Sequence, residues 1–189
     1  ETAEYWIVSY PAQGQLQGVV NSQLPSQLSG NQVVYQPGSN YHGSDAFSFQ
    51  ARSANGNLQS QNAEISLQIQ PVADTPTMTP AVTSPNQQSQ SGLVVSRNGV
   101  DGEEVGWLQI GAIQQGQLFQ SDGQTAIQSG SFIGWAQAAA GFKFTPQLGF
   151  QGVASFQLQA AVSATEEGLG GQVVTAQIQV QAQQLSCQL

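Results

Sequence analysis

The sequence predicts an all-β fold, organised as two tandem β-sandwiches. Two observations carry this. Short alternating stretches punctuated by Gly, Pro, Asn and Ser run from end to end, with no apolar spacing of helical period over a useful length. In addition, Val34-Tyr-Gln-Pro-Gly-Ser-Asn-Tyr-His-Gly-Ser-Asp-Ala-Phe-Ser-Phe49 returns as Lys143-Phe-Thr-Pro-Gln-Leu-Gly-Phe-Gln-Gly-Val-Ala-Ser-Phe-Gln-Leu158. A repeated unit of this length implies a repeated domain.

In the first unit the alternation predicts strands near 5–8, 14–19, 32–36, 46–51 and 63–70, with a turn at Ser53-Ala-Asn-Gly-Asn57 before the last. In the second it predicts strands near 92–96, 105–113, 117–120, 141–145, 154–161 and 173–182, with turns at Ser121-Asp-Gly-Gln124 and Gly168-Leu-Gly-Gly171. Strands of this number and spacing suggest two-sheet sandwiches. The copies also align upstream, Tyr5-Trp-Ile-Val8 with Trp107-Leu-Gln-Ile110 and Gly14-Gln-Leu16 with Gly116-Gln-Leu118. This alignment exposes an asymmetry. The second unit has a lead-in, about 77–104, with almost no counterpart in the first, so the first sandwich lacks its opening strand and should present an unpaired sheet edge.

Pro71-Val-Ala-Asp-Thr-Pro-Thr-Met-Thr-Pro80 marks the boundary, because prolines stop sheets and stiffen linkers. The expected organisation is a first sandwich over 1–73, a Pro-rich linker over 74–80, and a second sandwich with a C-terminal tail over 81–189. Two such sandwiches in line make an elongated rod.

Composition narrows the function. Among 189 residues, 3 Lys+Arg stand against 11 Asp+Glu, a net charge of -8. That leaves no basic patch for nucleic acid or an anionic membrane surface. No apolar run approaches a membrane span, and Glu1 onwards shows no secretory-signal pattern, so any export signal is removed or lies upstream. Roughly one residue in six is Gln, well above ordinary usage. In Ser66-Leu-Gln-Ile-Gln70 and Ala176-Gln-Ile-Gln-Val-Gln181 it alternates with apolar residues, which coats the outer sheet faces with neutral amides. Such a face is either a plain solvated surface or one made to hydrogen-bond neighbouring copies. The single Cys187 excludes an intrachain disulfide; it is either a tail residue or a link between subunits.

Tyr35-Gln-Pro37, Asn40-Tyr-His-Gly43 and Pro71-Val-Ala-Asp-Thr-Pro76 resemble the cadherin-like and immunoglobulin-like tandem repeats of large secreted bacterial surface proteins. Gly116-Gln-Leu-Phe119, Ser121-Asp-Gly123, Gln137-Ala-Ala-Ala-Gly-Phe-Lys-Phe-Thr-Pro146 and Gly168-Leu-Gly-Gly171 resemble a longer variant. The resemblance implies an extracellular or cell-surface location and a role in adhesin stalks, biofilm matrices or surface fibres.

Candidate sites are few. Asp74 in the linker, with Asp101, Glu103 and Glu104 in the lead-in, could supply oxygens for calcium if the lead-in folds back; the alternative is solvated acidic turns, as for Glu166 and Glu167. His42 lies in a Tyr-His-Gly turn and reads as a turn residue rather than a base. No phosphate loop, nucleophile elbow or facing carboxylate pair is present, so the chain reads as no enzyme. Lys143 points away from the core filled by Phe142 and Phe144, against an isopeptide bond. Trp6, Trp107 and Trp135 read as core or sheet-face residues, Trp135 being the best glycan platform. The expected function is a structural subunit of an extracellular fibre or stalk that polymerises head to tail, the first sandwich being completed by residues 173–189 of an adjacent copy or by its second domain. The alternative is an adhesin module that binds a glycan or surface protein.

Overall fold

The computed structural model describes residues 3–182, and those residues are all-β apart from one five-residue α-helix and two 3-10 turns. The chain divides into two compact units, Glu1–Pro71 and Val72–Leu189.

The first unit contains β1 (Ala3–Ser9), β2 (Gly14–Leu16), β3 (Ser26–Gln27), β4 (Tyr35–Pro37), β5 (Gly43–Ser53) and β6 (Ala63–Ile69). An antiparallel sheet runs in the order β3-β1-β5-β6, and β2 pairs with β4 in a second layer. Ile7 and Phe47 from the sheet meet Leu16 and Val19 from the other layer; these four make the fully covered core. The predicted turn forms after β5, where Gly56 takes a positive φ of 73° and its N–H closes on the Ser53 carbonyl at 2.8 Å.

The second unit contains β7 (Thr77–Met78), β8 (Ala81–Thr83), β9 (Val95–Ser96), β10 (Trp107–Gln114), β11 (Gly116–Gln120), β12 (Ala126–Ile127), β13 (Phe132–Gly134), α1 (Trp135–Ala139), β14 (Phe142–Pro146), β15 (Gly152–Ala161) and β16 (Leu169–Val180). One sheet runs β13-β10-β15-β16-β8, a second β12-β11-β14, and β7 pairs with β9. Leu108, Ile110, Phe156, Leu158 and Ile178 from the first sheet and Leu118, Phe142 and Phe144 from the second form a single core cluster, most of them with no exposure.

The same register recurs in both units. Phe47 opposes Ile65 and Phe49 opposes Ala63 in the first; Phe156 opposes Ala176 and Leu158 opposes Val174 in the second. Phe47 and Phe156 are accordingly both buried. Gly14 pairs with Pro37 and Leu16 with Tyr35, as Gly116 pairs with Pro146 and Leu118 with Phe144. One detail of the sequence alignment is corrected. Ile7 faces Phe49 and Ile110 faces Leu158, so Ile7 corresponds to Ile110, not to Gln109. A slip of one residue exchanges the two faces of a strand, and only the shifted match keeps both isoleucines in the core.

Two further expectations change. The stretch 74–80 is built into the second unit rather than spanning a gap: Ala73 is buried against Val105 and Ala160, Pro76 is buried, and Thr77–Met78 is a strand. Of the Gly168–Gly171 run, Gly168 ends a 3-10 turn, its N–H donating to the Thr165 carbonyl at 3.1 Å, and 169–171 already begin β16. Gly170 and Gly171 permit close approach of backbone instead. A Cβ on Gly170 would strike the Ala73 backbone, one on Gly171 would lie 2.5 Å from the Asp74 carbonyl carbon, and Gln172 N–H donates to Thr75 Oγ1 at 2.7 Å. The short helix and the two-residue strands carry too few residues to show a period.

The β2–β4 and β11–β14 pairs share a packing rule. An added Cβ on Gly14 would lie 2.5 Å from the Tyr35 ring, and one on Gly116 would lie 2.5 Å from the Phe144 ring. Each ring therefore packs against a glycine on the neighbouring strand, which fixes the register of the second layer. Replacing either glycine by alanine forces the ring or the strand aside. Gly14→Ala and Gly116→Ala should each destabilise their unit by about 1–3 kcal/mol in denaturant unfolding, whereas Gly130→Ala, with open space at its Cβ, tests the cost of a positive φ alone.

Candidate functional site

The first unit carries an apolar groove where the second unit carries its lead-in. Ile7, Phe47 and Phe49 form the floor, Ile65 and Leu67 of β6 form one wall, and Val33, Val34 and Tyr35 form the other; the space is about 640 Å³. No charged side chain lines it.

The second unit shows how this space is closed. β8 adds to the main sheet parallel to β16, Ala81 opposite Ile178 and Thr83 opposite Val180, and Gln181 N–H continues the ladder to the Thr83 carbonyl at 3.0 Å. The chain then crosses to the second sheet. Ser89 N–H donates to the Phe144 carbonyl at 2.8 Å, Phe144 N–H to Ser89 Oγ at 2.9 Å, and Phe142 N–H to the Leu93 carbonyl at 3.1 Å. Leu93 and Val95 thereby fill the space between the sheets, with exposures of 0% and 3%.

In the first unit β6 is an edge strand, and β4 pairs with β2 alone within its layer. The effect is visible at matched positions. Ile65 is 38% exposed where Ala176 is 3% exposed, and Leu67 and Ile69 are half-buried where Ile178 and Val180 are covered. An edge with free backbone donors and acceptors, beside exposed apolar side chains, is a template for another strand.

A polar clamp stiffens the wall of this groove. Asp45 occupies the register position that Ala154 fills in the second unit, and it is 7% exposed. Its carboxylate accepts N–H groups of Ala12 and Gln13, both at 2.9 Å, and the Tyr35 hydroxyl at 2.8 Å. Burial alone would raise its pKa, but these bonds and the Ala46 N–H outweigh it and hold the carboxyl below its ordinary value of 3.8. Burial first, then the Asp45 bond and charge, pushes the Tyr35 hydroxyl up to about 12. The ring over Gly14 is thus anchored at its far end. The second unit makes the exchange as a pair, with Phe144 for Tyr35 and Ala154 for Asp45. Tyr35 was marked in the sequence only as part of the repeated motif, and Asp45 was not singled out. The signal was there: an acid at an inward position of an alternating strand must have partners.

Three of the four acidic residues proposed for calcium are engaged otherwise. Asp101 accepts the Asp74 N–H at 3.1 Å, Arg97 holds Glu103 at 2.8 Å, and Glu104 accepts the Gly102 N–H at 2.6 Å. Burial, then the nearby charges of Asp74 and Glu104, raises the Asp101 pKa against the pull of the Asp74 N–H and Arg97. Among the described residues no group of three or more His, Cys, Asp or Glu side chains is placed to hold a metal ion. His42 is exposed beside Tyr41. The Arg97 guanidinium lies 4.9 Å from the Trp135 ring centre, over one face of the ring. Lys143 donates to the Gln90 carbonyl at 3.1 Å. Glu166 accepts from Gln109 at 2.6 Å. Cys187 lies outside the described residues. Among the described residues no helix is long and apolar enough to cross a membrane.

Neither a protein-family model nor a curated protein sequence matches the chain.

The clamp makes the first unit acid-sensitive. Because folding favours the Asp45 carboxylate, its contribution is full above the ordinary carboxylate range and falls away as the pH drops through the lowered folded value. Asp45→Asn should remove this component from the pH dependence of urea unfolding. At neutral pH, Asp45→Ala should cost about 1–3 kcal/mol. The double variant Tyr35→Phe/Asp45→Ala, which copies the second unit's pair, should cost less than the sum of its singles.

Proposed function

We propose that this chain is a structural subunit of an extracellular bacterial fibre or cell-surface stalk, with two tandem immunoglobulin/cadherin-like sandwiches arranged as a rod and joined head to tail by strand addition. The single observation that carries this reading is the open edge of β6 beside an uncharged apolar groove, in a chain whose other unit closes the same place with its own lead-in. Strand addition supplies main-chain hydrogen bonds and side-chain pockets together and asks little of surface charge. That suits a chain with 7% charged residues. A contact of this kind is heterologous, and its repetition generates an open filament rather than a closed dimer.

The amide-rich sheet faces support the same reading. Gln at alternate positions of β16 stays outward while Ala176, Ile178 and Val180 face the core. The result is a face rich in donors and acceptors and poor in repelling charge. The aromatic groove floor also favours a second reading, an adhesin module that binds a ligand there. Electron microscopy of the purified chain across a concentration series separates the two. The fibre reading expects end-to-end filaments whose length grows with concentration. Discrete particles at every concentration contradict it and leave the adhesin reading.

A further inference from the structure

We propose that the groove of the first unit is an acceptor site for one strand, and that its occupant is the segment Gln183-Gln-Leu-Ser-Cys-Gln-Leu189 of a second copy, laid parallel to β6. This deepens and rests on the assembly reading above. The orientation comes from the second unit, where β8 lies parallel to β16 at the corresponding edge. By register, Leu67 and Ile69 stand where Ile178 and Val180 meet β8. A seven-residue donor runs the length of β6, past Ile65 as well as Leu67 and Ile69, and its inward side chains enter above Phe47 and Phe49.

The choice of donor follows from what the second unit has already used. β16 is already committed within its own unit, since 174–180 pair with β15 and 178–180 also pair with β8; this removes the larger part of the segment expected from sequence. Residues 183–189 lie outside the described residues, and their sequence has the acceptor's requirements. Apolar side chains recur at Leu185, Cys187 and Leu189, the period of a strand with one buried face. The segment carries no charge, matching a groove lined without charge. Seven residues extended span about 23 Å, the reach of a seven-residue strand such as β6.

The test uses the full chain carrying Cys187→Ser, so that no disulfide contributes, alongside the same chain ended at Ala182. Sedimentation velocity reads assembly, and fluorescence anisotropy reads binding of a labelled peptide with the sequence of 181–189 to the shortened chain. Ile65→Lys in the shortened chain places a charge in the groove at a side chain already 38% exposed, and circular dichroism checks that it stays folded. The expected result is assembly of the full chain only, with saturable peptide binding weakened at least tenfold by Ile65→Lys. Assembly of the shortened chain to the same extent overturns the donor while sparing the fibre reading. Saturable groove binding without any assembly of the full chain upholds the acceptor site and overturns the fibre reading. No saturable binding of the peptide, or binding indifferent to Ile65→Lys, overturns the proposal. So does binding of a peptide with the sequence of 77–96 where the tail peptide fails.

Discussion

The space between two β layers must be covered on every side, and the two units meet that requirement differently. In the second unit one run of chain closes both sheets, first as β8 beside β16 and then as a segment joined to β14. Leu93 and Val95 enter between the layers and complete a core that includes Leu108, Phe144 and Phe156 without exposure. In the first unit the covered core is Ile7, Leu16, Val19 and Phe47, with Phe49, Leu67 and Tyr35 only partly shielded. Fully burying an aliphatic side chain stabilises a fold by about 1.5–3 kcal/mol, so the open side forgoes a sizeable part of the stability such a small unit can reach.

The remaining architecture is held by a register device common to both units. A glycine on the first strand of the second layer lies under an aromatic ring of its partner strand, Gly14 under Tyr35 and Gly116 under Phe144. Where the ring bears a hydroxyl, a buried acid receives it, and that acid also takes two backbone N–H groups from the chain just before β2. Where the ring is a phenylalanine, the matching position is a small apolar residue, Ala154. The polar and apolar solutions fill the same site, and a mixture of the two would leave an orphaned hydroxyl or an unpartnered carboxylate. In the first unit this clamp secures the groove wall from which Tyr35 projects.

The sequence made the fold class and most long strands legible, because β5, β15 and β16 alternate over enough residues to define a face. The unequal lengths of the two copies led to the expectation of a missing opening strand, and among the described residues β6 pairs only with β5. What the sequence concealed was set by contacts distant along the chain. The alignment of β1 with β10 was off by one because Tyr5-Trp-Ile-Val8 offers an apolar residue at every position, and only pairing with Phe49 selects Ile7 as the inward one. The 168–171 glycines carried a turn signal that Gly168 alone fulfils, and the reason for Gly170 and Gly171 is the backbone of 73–75 lying against them. Asp74, Asp101, Glu103 and Glu104 offered acids in the linker and lead-in as a calcium site. The oxygens of Asp101, Glu103 and Glu104 are engaged by backbone N–H groups and Arg97, which the spacing of acids does not reveal.

The account turns on whether the outer edge of β6 is open in the single chain and closed in the assembly. Amide hydrogen exchange resolved along β6 measures this directly, with β16 in the same molecule as the internal reference. The account predicts rapid exchange for the outward amides of Ala63–Ile69 in the dilute chain, slow exchange for β16 over 178–180 where β8 covers it, and protection of β6 once the chain assembles. Equal protection of the two strands in the dilute chain, or an unchanged β6 in assembled material, would contradict it.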